Sequence, residues 1–181
     1  GMVVHENGHL LFGWPDLYHY SGVTKGAGYY CLMSYAFRTS PIYPNPYFRL
    51  LQGWIDTVDF SGHAKGELYT LHDTSKTIYA YSGKTKGSAN EMFLFEVKTR
   101  SGRNIRLPDA GLAIWHIDTE GDNMESNPTE INGPFDLANI EQADGYFDLE
   151  YNRNMGDVND LFDSSTPIFN DQTSPSAVWH N

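Results

Sequence analysis

Residues 5 to 9 read "HENGH", two histidines one helical turn apart with a glutamate beside the first. On a helix, residues i and i+4 share a face, so His5 and His9 can both aim an imidazole at one ion. Glu6, turned by about 100° from His5, stands beside that ion. These are the residue types of a zinc peptidase site. Zinc lowers the pKa of its water to about 7, and Glu6 as general base takes the proton while the water attacks a peptide carbonyl. A catalytic zinc takes three protein ligands and keeps one position open. Gly13 can reverse the chain after the helix, and beyond it Asp16 and His19 are the candidates for the third ligand.

A second set of chemistry-bearing residues lies near the other end. Asp144, Asp148, Asp157, Asp160 and Asp163 are interleaved with Gly145, Gly156, Asn152, Asn154 and Asn159. Hard oxygen donors on a flexible loop suit Ca2+, though the spacing is not that of an EF-hand. Asp144, Asp148, Asp157 and Asp160 are the candidate calcium ligands, and the plainer reading is a solvated loop of Asx-turns and caps. His116 in "AIWHID" alternates onto one side with Ile114 and Asp118 and reads as a hydrogen-bonded strand histidine. Cys31 reads as a small buried apolar residue. His63, His72 and His180 fall in no pairing pattern and receive no role.

The elements that must position these groups change character along the chain. Met2 to Phe12 is the one good early helix, ended by Gly13 and Pro15. A loop runs from Asp16 to Gly28, and "YYCLMSYAF" is a strand or a tight buried turn. Pro46 to Gln52 is a short helix that stops at Gly53. "ELYTLHD", "TIYAYSG", "EMFLFEVKTR" and "AGLAIWHID" are aromatic and β-branched runs bounded by turn residues, the pattern of strands. "GDNMESNPTEINGPFD" is a polar loop. The expected class is α+β: a short zinc-motif helix and a turn over residues 1–55, then a β-rich antiparallel module with an acidic loop region over residues 56–181.

Composition bounds the partners. A chain of 181 residues with 40% apolar and 14% aromatic side chains can bury a real core. A net charge of -11 argues against nucleic acid and anionic membrane surfaces, which call for a basic face, and favours cationic ligands, including metal ions. A single cysteine excludes an internal disulfide framework. No apolar run reaches the length of a membrane-spanning helix. No signal peptide precedes the motif in this sequence, and Gly1 ahead of Met2 reads as a cloning remnant.

"HENGH…GWPDLY" followed by "GYYCLMSY" resembles the immune inhibitor A-like (M6) zinc metalloproteases, which are metzincin-like. The resemblance continues through "LLQGWI", "LPDAGLAIWHID", "IEQADGYFDLEYNRNMGDVNDLF" and "FNDQTSPSA", covering nearly the whole chain in the family's order. It implies that His5, His9 and Asp16 hold zinc and that Glu6 is the general base. Met33 in "CLMSY" is then the Met-turn residue, packed beneath the metal without binding it. The Met-x-Tyr spacing resembles other metzincins and implies an oxyanion-stabilising role for Tyr35. One departure is the spacing "HLLFGWPD", a residue longer between His9 and Gly13 than the family pattern, which leaves His19 open beside Asp16.

The resemblance implies a secreted endopeptidase acting on protein or peptide substrates. In such enzymes the site helix packs under a sheet formed by upstream chain, and that sheet is missing from this sequence. An alternative reading is therefore a truncated or non-catalytic fragment that acts as a β-rich binding or packing module, partnered by the upstream catalytic segment. A carbohydrate module using the many tyrosines and tryptophans for stacking finds no paired carboxylates to support it.

Overall fold

The computed structural model describes residues 1–38, 41–73, 76–86, 88–126 and 135–180. Helix α1 spans Met2–Phe12 and ends where Gly13 turns left-handed at φ 65°. The Gly13 and Trp14 amides close on the His9 and Gly8 carbonyls, which satisfies the orphan end of the helix. Phe12 is the last helical position before Gly13, and its ring stacks on Trp14 at 4.6 Å. Helix α2 spans Pro46–Leu51, with Pro46 in its first turn and the Asn45 side chain accepting from the Phe48 amide at 2.8 Å. "YYCLMSYAF" is not a strand. It folds as two short 3-10 turns, Gly28–Tyr30 and Tyr35–Arg38, joined by a tight turn with Cys31, Leu32 and Met33 buried.

Five strands follow: β1 Asp56–Asp59, β2 Thr77–Ser82, β3 Glu91–Lys98, β4 Gly111–Asp118 and β5 Ala138–Ile140. They form one sheet in the order β1-β2-β3-β4-β5. The sheet is mixed, which corrects the antiparallel expectation: β1 pairs parallel with β2, and the remaining pairs are antiparallel. "ELYTLHD" forms no strand either. Leu68 within it is 98% exposed, so the apolar run gains no burial to hold it in a sheet. Part of the polar loop expected at 121–136 lies outside the described residues.

The two faces of the sheet are buried against different material. Ala80, Leu94, Trp115 and Ile140 lie in register across one face and join Trp14, Leu17, Tyr30, Met33 and Phe48 in the main core. That cluster runs through residues on both sides of position 55. Helix α2 is pinned to the same face by the ion pair from Arg49 to Glu96, and Lys98 Nζ lies 3.0 Å from the other Glu96 oxygen. Burial disfavours the charge on Glu96, but Lys98 and Arg49 hold its carboxyl below the usual range. On the opposite face, Phe93 and Ile114 pack with Phe162, Phe169, Ala177 and Trp179 from the last stretch of chain.

The loop after α1 is held by the main chain. The Leu17 amide donates to the Met33 carbonyl at 2.7 Å, and the Ala27 amide to the Leu17 carbonyl at 2.9 Å. Gly26 makes that close approach possible: it has φ +49°, and a Cβ there would meet the Leu17 carbonyl oxygen at 2.0 Å. Gly26→Ala is therefore expected to cost about 1–3 kcal/mol, from a left-handed backbone and a displaced loop. Urea denaturation measures this, and an unchanged midpoint would refute the account.

Candidate metal centre

Helix α1 and its return loop bring His5, His9 and Asp16 to one point. His5 Nε2 lies 3.2 Å from His9 Nε2, and Asp16 Oδ1 lies 3.0 Å and 3.3 Å from the two nitrogens. His5 Nδ1 donates to the Leu32 carbonyl at 2.9 Å and His9 Nδ1 to the Trp14 carbonyl at 2.6 Å. A carbonyl only accepts, so both Nδ1 atoms carry a ring proton, and in the neutral imidazoles both Nε2 atoms present lone pairs. Three acceptors thus face each other, and Asp16 Oδ1 is buried without a hydrogen-bond donor. A proton can serve one edge of such a triangle, whereas a metal ion at its centre serves all three corners. Two donors about 2.0–2.1 Å from a tetrahedral zinc lie roughly 3.3–3.4 Å apart, close to the spacing here.

The surroundings orient the carboxylate. Tyr20 donates its hydroxyl to Asp16 Oδ2 at 2.9 Å, fixing the oxygen that faces away from the histidines. Tyr18 approaches the same carboxylate, and its phenol is pushed up to about 12, first by burial and then by Asp16. Neither tyrosine was singled out from the sequence, although the Asp16, Tyr18 and Tyr20 alternation in "PDLYHY" was its only signal. Tyr35 packs its ring 5.1 Å from that of Tyr18, with the Lys25 ammonium 5.7 Å from its own ring centre.

Met33 is fully buried beneath α1, and a Cβ on Gly8 would meet its sulfur at 2.5 Å. Gly8 thereby lets the helix sit close on the thioether. Glu6 lies on the exposed side of α1, next to His5. His19 is directed elsewhere: its Nδ1 accepts from the Ser21 amide at 3.1 Å and faces the Ser21 hydroxyl at 3.0 Å.

In the acidic loop, Asp144, Asp157 and Asp160 bring ligand oxygens within 4.8 Å of one another. Asp148 stands aside, paired with Arg153 at 3.1 Å, although Asn154 donates to both Asp148 and Asp157. Asp160 is buried and accepts from Tyr30 at 2.8 Å and from the Asp157 amide at 2.7 Å. Burial, and after it the neighbouring carboxylates, push its carboxyl up to about 6. Asp109 braces the loop by accepting from the Asn159 and Leu161 amides, both at 3.0 Å. No spacing rule links Asp109 to residues fifty positions later.

A further cluster comes from residues assigned no site role from the sequence: Glu91 on β3, His116 on β4 and His180 near the end of the chain. Beside it lies a cavity of about 310 Å³ lined by His116, Asp136, Glu141, Glu150, Tyr151 and His180 among others. Burial raises the Asp136 carboxyl to about 7 and that of Glu150 to about 8, with neighbouring carboxylates adding to both. The groups facing this pair are Glu141, Asp122 and His116.

Unfolded carboxyls titrate near 4. Between that pH and about 8 the folded chain therefore retains protons that the unfolded chain releases, and the contribution of these groups to stability falls as pH rises. Glu150→Gln is expected to flatten that fall between pH 5 and 8.5 in thermal melts, and parallel wild-type and variant profiles would refute it. No family model, curated protein or solved structure matches this chain, so the functional reading rests on these residues.

Proposed function

We propose that the protein is a zinc-dependent metalloendopeptidase of the immune inhibitor A-like kind. The observation that supports this most directly is the convergence of His5 Nε2, His9 Nε2 and Asp16 Oδ1 with both Nδ1 protons already committed to the main chain. His5, His9 and Asp16 would hold the zinc, which supplies Lewis acidity to a peptide carbonyl and to water. Glu6 receives the proton of the attacking water and returns it to the leaving amine. Tyr35 donates its phenol proton in a hydrogen bond to the oxyanion, and Met33 forms the floor under the two imidazoles. Tyr18 and Tyr20 keep Asp16 in place.

Calcium at Asp144, Asp157 and Asp160 belongs to the same proposal, because a divalent cation offsets the repulsion among three close carboxylates. A second reading, a β-rich packing module, draws support from α1, which leaves Met2, Val3, Leu10 and Leu11 exposed, and from Leu51 and Trp54, which are exposed as well. Among the described residues, no helix is long and apolar enough to cross a membrane.

The two readings separate in one experiment. Glu6→Gln is expected to keep its zinc and lose about a hundred- to ten-thousand-fold in kcat/KM on an unstructured protein substrate, while His5→Ala loses both metal and activity. Equal activity in wild type and Glu6→Gln, or metal-loaded wild type that cleaves nothing, would sink the peptidase reading. For the acidic loop, millimolar Ca2+ is expected to raise Tm in wild type and to leave Asp160→Asn unmoved. An equal rise in both proteins would count against calcium there.

A further inference from the structure

We infer that Glu91, His116 and His180 form a second metal site, selective for a divalent transition ion such as Zn2+, that clips the end of the chain onto the sheet. One ligand atom from each lies within 4.8 Å of the others. His116 Nε2 faces Glu91 Oε2 at 2.9 Å, close to the 3.0 Å between His5 Nε2 and Asp16 Oδ1. His180 Nδ1 lies 3.8 Å from that Glu91 oxygen.

Both strand ligands are braced as metal ligands are. Glu141 Oε1 lies 3.2 Å from His116 Nδ1, so this nitrogen has a carboxylate to receive its proton and Nε2 is turned toward the cluster. Ser88 donates to Glu91 Oε1 at 2.6 Å and the His180 amide donates to Oε2 at 2.8 Å, which orients the carboxylate and ties it to the last residues of the chain. His180 is delivered by Trp179, whose ring stacks on Phe93 at 4.8 Å and on Tyr81 at 5.8 Å. The partly exposed His180 ring lies against Phe135 at 3.9 Å and His116 at 4.2 Å. Mixed imidazole and carboxylate donors select a borderline ion over Ca2+ or Mg2+. Among the described residues no Lys or Arg lines the adjoining cavity, and Glu141 adds a carboxylate beside His116.

Binding exchanges one cation for another. The ion takes the place of the proton shared between His116 Nε2 and Glu91, and that proton leaves to solvent. The competing arrangement is a buried imidazolium held between Glu91 and Glu141 with no metal.

The test uses the full chain carrying His5→Ala and His9→Ala, in excess Ca2+ to fill the acidic loop, titrated with Zn2+ and with Co2+ by equilibrium dialysis. The double variant is expected to retain one equivalent of each ion. Adding His180→Ala should weaken that binding by more than about a hundredfold, and Glu141→Gln, which touches no ion, by about 10–100-fold. His116→Gln should abolish it, but removes a buried partner and risks unfolding. His180→Ala changes a partly exposed ring and keeps the test decisive. Absence of the retained equivalent in a folded double variant, or binding indifferent to His180→Ala, overturns the site in favour of the imidazolium pair.

Discussion

Three lone pairs pointed at one another is an arrangement that a folded chain does not tolerate without a positive charge between them. The hydrogen bonds that create it are ordinary: two imidazole protons given to the carbonyls of Leu32 and Trp14. Their effect is to select one tautomer in each neutral ring, so that the Nε2 atoms then face Asp16 as acceptors. Each carbonyl is in turn placed by a local necessity. Trp14 is where the chain leaves α1 through the left-handed Gly13, and Leu32 lies in the tight turn under the helix. The sheet, the stacked Trp14 and Phe48 rings and the buried Met33 serve to keep those two carbonyls at fixed height.

The two faces of the mixed sheet differ in the clusters they support as well as in their packing. One face supports the helix and loop that carry His5, His9 and Asp16. The other takes the final stretch of chain, and with it the row of Tyr81, Phe93 and His116 in register across three strands. The two histidine-bearing clusters are therefore built on opposite sides of a single layer, and Tyr30 ties the acidic loop to the main core on the first side.

Local elements were legible in the sequence because they rest on local rules. The helix over residues 2–12 follows from a polar and apolar mixture closed by Gly13, and β2, β3 and β4 from alternation bounded by turn residues. His5 and His9 follow from a four-residue spacing that any helix enforces. The failures are non-local. "ELYTLHD" has strand composition yet finds no neighbour, whereas "DTVD" has little strand character and is recruited as β1 by a parallel partner. Asp109 and the Glu91–His116 pairing depend on contacts across the fold, and His180 depends on where the final stretch of chain crosses the sheet. None of these leaves a spacing to read.

Gly28 carries a consequence for how the protein breathes. A Cβ there would strike the Met155 carbonyl at 2.5 Å, and on either side the Lys25 and Tyr29 amides donate to the Leu149 and Met155 carbonyls at 2.8 Å. The loop bearing Asp16 and the loop bearing Asp160 are thus sewn along one seam, with Tyr30 as the cross-stitch. To part the two loops, these main-chain hydrogen bonds would have to break. If each cluster takes a cation, any free energy that one lends the other is returned in equal measure.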